Sequence, residues 1–192
     1  LGREDPQAVV AAFRTLRFAP GLVLRAYQFM ESAGGNGVVY AMKEGEAFPP
    51  PDQLDHPTQH LWETPRPPGA LPDVMDAVQG DDTAWSYVEA SLCARALHEF
   101  GAYWHGIGWS LHHIIDDDGR FTEDWKWKGR RPGSMKPTVY VGPRVVRVRF
   151  YSYCMLGQES VTRHEDRYRR GAYRCTSSDN RDVATGPLCM LL

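Results

Sequence analysis

The sequence predicts an α+β fold, in which a curved antiparallel sheet packs against one long and one shorter helix. An apolar stripe with helical spacing runs through residues 82–105 and predicts the long helix. A pair of β-rich segments near the N-terminus predicts a hairpin. After residue 109, alternating apolar and polar residues separated by turn residues predict a meander of at least four strands. Helices combined with strands that follow one another directly are typical of the α+β class.

The N-terminal region predicts the shorter helix and the hairpin. Asp5-Pro6 predicts a helix over residues 5–18, because Asp caps a helix and Pro suits its first position. Residues 22–30 and 37–43 are rich in β-forming residues and flank a glycine-rich stretch, which predicts a hairpin with a slightly long loop.

A proline-rich segment follows the hairpin. Eight of the 14 prolines lie between Phe48 and Asp73. Proline fits neither a helix interior nor a central strand, so this segment cannot belong to either. We expect a strap, at about residues 48–73, that crosses a single domain of residues 1–192.

The long helix is predicted to start at Asp81 or Asp82 and to end before Gly106 and Gly108. Its stripe contains Trp85, Val88, Leu92, Cys93, Ala96, Leu97 and Phe100.

Residues 109–127 predict a β-hairpin that turns at Asp117-Asp118-Gly119, since Gly supplies the left-handed conformation this turn needs. The register pairs Ile115 with Phe121, His113 with Glu123, Leu111 with Trp125, and Trp109 with Trp127. Further strands are predicted over 138–141, 144–154 and 159–168.

Charge is distributed unevenly along the chain. The net charge is −2, but residues 1–125 hold 8 Lys and Arg against 19 Asp and Glu, which gives −11. Residues 126–192 hold 14 against 5, which gives +9. Such a split is typical either of an anion-binding surface or of two halves that pack together.

The composition indicates a cytoplasmic protein without a membrane partner. No apolar run reaches the length of a membrane span, and no signal-peptide pattern is present. The four cysteines are scattered without a CxxC motif, which favours reduced thiols over a disulfide framework or a zinc ribbon.

His113 and Glu123 are the candidate catalytic residues. In the predicted register they form a titratable pair within an aromatic wall, where the imidazole would take a proton and the carboxylate would orient it. An inert structural pair is the alternative, because such pairs also perturb titration. The candidate ligand-binding residues are Trp109, Trp125, Trp127, Arg147, Arg149 and Tyr151.

No cofactor is expected, and metal binding is only an alternative interpretation. His98, His105 and His112 recur every seven residues. A metal site needs three or four ligands, and no dense motif such as HExxH supplies them here.

The predicted function is the binding of a small, anionic or aromatic ligand in a Trp-lined pocket. An enzyme built this way would use metal-free acid–base chemistry, as some hydrolases and lyases do. The alternative is a nucleic-acid or protein interaction module that uses the Arg- and Tyr-rich second half. Exposed arginines would favour the module, whereas a deep cavity beside Trp109 would favour the ligand binder. The sequence does not predict the oligomeric state.

Overall fold

The computed structural model describes residues 5–31, 34–53, 66–104, 107–116, 121, 124–155 and 157–188. The chain divides into two compact units, one of Leu1–Trp109 with Gly171–Arg174 and one of Ser110–Arg170 with Cys175–Leu192. Helices together with antiparallel sheets confirm the predicted α+β class. The single domain with a strap at 48–73 stays a prediction, and residues 54–65 of that strap lie outside the described residues.

The α-helices of the described residues belong to the first unit. Short 3₁₀ turns also occur there, at Pro51–Gln53 and Val74–Ala77. In chain order its main elements are α1 (Pro6–Ala11), β1 (Leu16–Phe18), β2 (Leu22–Glu31), β3 (Gly34–Lys43), β4 (Val78–Gly80), α2 (Ala84–His98) and β5 (Tyr103–Trp104).

Helix α1 starts as predicted and ends early. The Asp5 side chain accepts a hydrogen bond from the backbone N–H of Gln7 at 2.9 Å, and Pro6 opens the helix. The predicted helix over 5–18 was too long, because the chain leaves α1 after Ala11 and continues into β1. Strand β1 pairs with β4 in an antiparallel two-stranded sheet.

The predicted N-terminal hairpin is confirmed as β2 and β3, but its glycines were assigned wrongly. Gly34, Gly35 and Gly37 lie within β3 and not in a loop. A Cβ atom on Gly37 would lie 2.6 Å from the carbonyl oxygen of Phe100, so this position admits only glycine. Pattern alone does not distinguish a glycine needed for close packing from one needed for a turn.

Helix α2 is the predicted long helix, with different ends. Thr83, and neither Asp81 nor Asp82, caps it by accepting from the Ser86 N–H at 3.3 Å. The helix stops at His98, and Gly101 follows in the left-handed region at φ 73°.

The predicted apolar stripe of α2 was wrong at one position. Trp85 is 54% exposed, and its indole N–H donates to Glu89 at 3.1 Å. Glu89 itself is buried and accepts hydrogen bonds from the Thr15 N–H at 2.8 Å and from the Thr15 hydroxyl. This carboxylate therefore joins α2 to the chain that leads into β1.

The segment Gly171–Arg174 belongs to the first unit because of Tyr173. Its ring stacks on Tyr87 with centroids 5.0 Å apart, and its hydroxyl accepts from the Asp82 N–H at 2.8 Å. Asp82 stands at φ 57°, a conformation that Asp tolerates better than most residues. Tyr173 is therefore a core residue of the first unit.

The second unit is a six-stranded antiparallel sheet. Its order is β6-β9-β10-β11-β7, and β8 pairs with β9 beyond the end of β6. These strands are β6 (His112–Ile114), β7 (Lys126–Trp127), β8 (Thr138–Val141), β9 (Val145–Cys154), β10 (Gln158–Arg169) and β11 (Cys175–Leu188).

The predicted 109–127 hairpin was wrong. Trp109–Leu111 forms a 3₁₀ turn, and β6 pairs with β9, placing His113 opposite Tyr153. Strand β7 pairs with β11 at the other end of the strand order, where Trp127 lies opposite Ala184. Strand pairings distant in the sequence have displaced a local turn signal, and the turn residues 117–120 lie outside the described residues.

Burial of α2 predicts that the Cys93 thiol is unreactive in the folded protein. Burial, assisted by the charge of Glu89, raises the pKa of Cys93 to about 12. The thiolate, which is the reactive form, is therefore absent near neutral pH. Alkylation with iodoacetamide followed by peptide mass spectrometry should modify Cys93 only after unfolding in urea.

The partly exposed Cys175 provides the internal control, because it should be labelled in the native protein. Equal native labelling of Cys93 and Cys175 would contradict the burial of this helix.

Candidate functional site

The predicted acid–base pair is only half described. His113 lies in β6 opposite Tyr153, and its side chain is exposed. Glu123 lies outside the described residues. The hairpin that was expected to bring them together is replaced by other strand pairings. Because Glu123 is not described, the role of the two residues as a pair stays a prediction.

Two of the three predicted tryptophans meet in a packed aromatic cluster of the second unit. The Phe121 ring lies 4.9 Å from that of Trp125 and 5.9 Å from that of Trp127, measured between centroids. Tyr151 belongs to the same buried cluster, and the Trp125 ring lies 5.8 Å from that of Tyr153. These rings fill space between one another, as core residues do.

Trp109 belongs to the first unit, where the Arg95 guanidinium carbon lies 5.5 Å from its ring centre. Of the three histidines in the metal-binding alternative, the structure describes His98 and His112. His98 is exposed, and His105 lies outside the described residues. Among the residues that the structure does describe, no group of three or more His, Cys, Asp or Glu is placed to hold a metal ion.

A chain of polar side chains crosses the second sheet through Ser152. The Ser152 hydroxyl lies 2.8 Å from Nδ1 of His112 and 2.7 Å from Nε2 of His164. His164 Nδ1 in turn lies 2.6 Å from Oδ1 of Asn180. Because an amide oxygen only accepts, Nδ1 of His164 carries the hydrogen, and a neutral ring then accepts from Ser152 at Nε2.

The order serine, histidine, asparagine resembles an activated nucleophile with its base and orienting group. A nucleophile must be reached by its substrate, however, and Ser152 is 0% exposed. His164 is 4% exposed and stacks on Phe150, with centroids 4.6 Å apart. This chain of polar side chains therefore provides hydrogen-bond partners for buried polar groups and joins β6, β9, β10 and β11.

A large cavity lies on the second unit. It has a volume of about 710 Å³ and is lined by the end of the β8–β9 turn, by the start of β9 and by facing parts of β10 and β11. We call it the arginine groove. Its lining residues are Pro143, Arg144, Val145, Arg147, Arg167, Tyr168, Arg169, Arg170, Thr176 and Ser177.

Strand register brings these arginines together. Arg147 of β9 lies directly opposite Arg167 of β10, and Arg169 lies opposite Val145. The backbone N–H of Arg170 donates to the carbonyl of Arg144 at 3.0 Å and joins the two chain segments. All five arginine side chains are exposed.

The arginines on this face of the second sheet fall into two groups, those paired with carboxylates and those that line the arginine groove. Arg149 donates from Nε to Glu165 at 2.6 Å, and Arg181 donates to Asp179 at 2.9 Å. By contrast, none of the described residues that line the arginine groove carries a carboxylate. Within the described part of the chain, Arg147 and Arg167 form no salt bridge, although like charges placed directly opposite destabilise a sheet.

Sequence reasoning found part of this groove. Arg147 was a candidate, and it lines the groove. Arg149 was another, and it is paired with Glu165 instead. Arg144 was missed. Tyr140 was also missed; it does not line the groove but lies beside it, because the Gly142-Pro143 turn folds β8 back onto β9 and sets Tyr140 opposite Arg147.

A second cavity, of about 480 Å³, belongs to the first unit. It is lined by groups of both signs, including Asp5, Arg25 and Glu46. Mixed charges indicate no class of ligand, so the arginine groove is the stronger candidate.

No protein-family model, curated protein or solved structure matches the chain. Among the described helices, none is long and apolar enough to cross a membrane. The arrangement of side chains is therefore the basis for any functional conclusion.

Removing the Ser152 hydroxyl should destabilise the fold. In Ser152→Ala, His164 Nε2 loses its donor and the His112 ring loses a partner, which should cost about 1–3 kcal/mol. Urea unfolding followed by circular dichroism measures this difference.

Ser177→Ala is the matched control, because Ser177 is exposed on β11 of the same sheet. Its expected change is within about 0.5 kcal/mol. An unchanged midpoint in both variants would mean that the polar chain does not hold these strands.

Proposed function

We propose that the second unit binds phosphate-bearing ligands in the arginine groove. The observation that carries this proposal is the meeting of five exposed arginines in one cavity, which has no carboxylate among its described lining residues. A cavity of about 710 Å³ is also of the size that ligand sites have, which is about 300–1,000 Å³.

Arginine suits this role better than lysine does. Its planar guanidinium presents parallel N–H donors that match two phosphate oxygens, so each contact is charge-assisted and bidentate. The groove contains Arg144, Arg147, Arg167, Arg169 and Arg170, and no lysine.

The electrostatic field favours the same class of ligand. The second unit, Ser110–Arg170 with Cys175–Leu192, carries a net charge of +4, with 14 Lys and Arg against 10 Asp and Glu. A concave surface lined by one sign of charge raises the local concentration of ions of opposite sign. An anion between Arg147 and Arg167 would also relieve the repulsion between two opposed cations.

The acid–base hypothesis has less support among the described residues. His113 is exposed, and Trp125 lies in a packed cluster. Exposed arginines were the feature expected of an interaction module, and the groove supplies them. We therefore favour anion binding over chemistry at His113.

Removing two groove arginines should abolish most of the phosphate affinity. We expect Arg147→Ala combined with Arg167→Ala to weaken binding of inorganic tripolyphosphate by at least about tenfold, since hydrogen bonds to charged groups contribute about 1.5–3 kcal/mol each. Isothermal titration calorimetry at low salt measures the dissociation constant.

Arg149→Ala combined with Arg181→Ala is the matched control. It also removes two positive charges from the same sheet, but from side chains that are paired with Glu165 and Asp179. Its affinity should stay within about twofold of the parent chain, because these two side chains are already paired with carboxylates and do not line the groove. Equal losses in both double variants, or no binding by the parent chain, would contradict the proposed function.

A further inference from the structure

We infer that the arginine groove takes single-stranded nucleic acid, with one base stacked on Tyr140 and the adjacent phosphates held by Arg147 and Arg167. This inference rests on the proposed phosphate binding and names its ligand class. It adds an aromatic contact that simple phosphate binding does not need.

The three side chains form one row across the sheet. Tyr140 of β8 lies opposite Arg147 of β9, and Arg147 lies opposite Arg167 of β10. All three are exposed. Since adjacent strands are about 4.8 Å apart, the row places an aromatic ring and two guanidinium groups at successive steps along one line.

Tyr140 presents a large aromatic ring to solvent. Its side chain is 62% exposed, and the Arg147 guanidinium carbon lies 5.9 Å from its ring centre. Gly142 gives the ring space, because a Cβ atom there would lie 3.1 Å from Tyr140 Cε1. The ring is thus placed beside the first arginine of the row while most of its surface remains accessible.

A phosphate ion or an acidic peptide would use the arginines and leave this ring without a partner. A nucleic-acid strand carries phosphates and flat bases together, and a base stacks on an aromatic side chain whatever its sequence. Bases of a duplex are already stacked and paired, so only an unpaired base reaches such a ring.

Ser177 completes the row on β11, opposite Arg167. Its exposed hydroxyl adds a neutral hydrogen-bonding group beyond the second arginine. Hydroxyls commonly supplement arginine in contacts to phosphate and sugar. The row is therefore aromatic at one end, cationic in the middle and polar at the other end.

The test compares fluorescein-labelled oligothymidylate with a labelled DNA duplex by fluorescence anisotropy. The parent chain should bind the single strand more tightly than the duplex. Tyr140→Ala should weaken single-strand binding by about fivefold or more, since stacking one base contributes about 1–3 kcal/mol and 1.4 kcal/mol corresponds to tenfold. Tyr140→Phe, which keeps the ring, should bind within about twofold of the parent chain.

Two further readouts separate stacking from charge. Tyr140→Ala should leave the salt dependence between about 50 and 200 mM NaCl unchanged, because a ring releases no counterions. The Arg147→Ala and Arg167→Ala double variant should flatten that dependence. Thermal unfolding of each variant confirms that the fold is intact.

The outcomes distinguish this inference from the proposed function. If the arginine variant loses binding while Tyr140→Ala binds both probes as the parent does, phosphate binding stands and the stacking contact is wrong. Tighter binding of the duplex than of the single strand would also overturn the inference. Absence of binding to both probes and to tripolyphosphate would overturn the proposed function itself.

Discussion

The register between β9 and β10 is the constraint on which the second unit depends. It pairs Arg147 with Arg167 and Arg149 with Glu165, while Ser152 and His164 meet on the opposite, buried face. Because side chains alternate along a strand, a slip of one residue would move each of these groups to the wrong face. The buried hydrogen bonds and the exposed charges are therefore fixed by the same backbone pairing.

Each face makes a different use of polar residues. On the buried face, Ser152 and His164 form a hydrogen bond with one another and link neighbouring strands. Their burial keeps these two groups, which could otherwise act in catalysis, out of reach of a substrate. On the exposed face, carboxylates neutralise Arg149 and Arg181, whereas the described residues that line the arginine groove include none. Because an arrangement of like charges that costs folding stability is expected at functional sites, we propose binding at this place.

The elements that pattern predicts well are those with strong local signals. Helix α2, the β2–β3 hairpin and strand β9 have clear periodicity, and the structure contains all three. Strand β11 was missed because Cys175–Leu188 is polar and mostly exposed, so it has no apolar alternation to recognise. The prediction of the 109–127 hairpin was wrong although its local signal was strong, because residues 112–114 pair instead with β9, where His112 lies opposite Cys154. Which arginines lie opposite a carboxylate and which lie opposite another arginine depends on the strand register. The sequence analysis did not predict that register, so it identified only part of the groove.

The most direct test of the account observes the arginine side chains themselves. Nuclear magnetic resonance of the Nε–Hε groups, recorded while oligothymidylate is added, separates the two regions of the sheet face. We expect the signals of Arg147 and Arg167 to shift and those of Arg149 and Arg181, which are paired with carboxylates, to remain in place. Equal shifts in all four signals, or shifts confined to the paired arginines, would contradict the claim that the groove is the binding site.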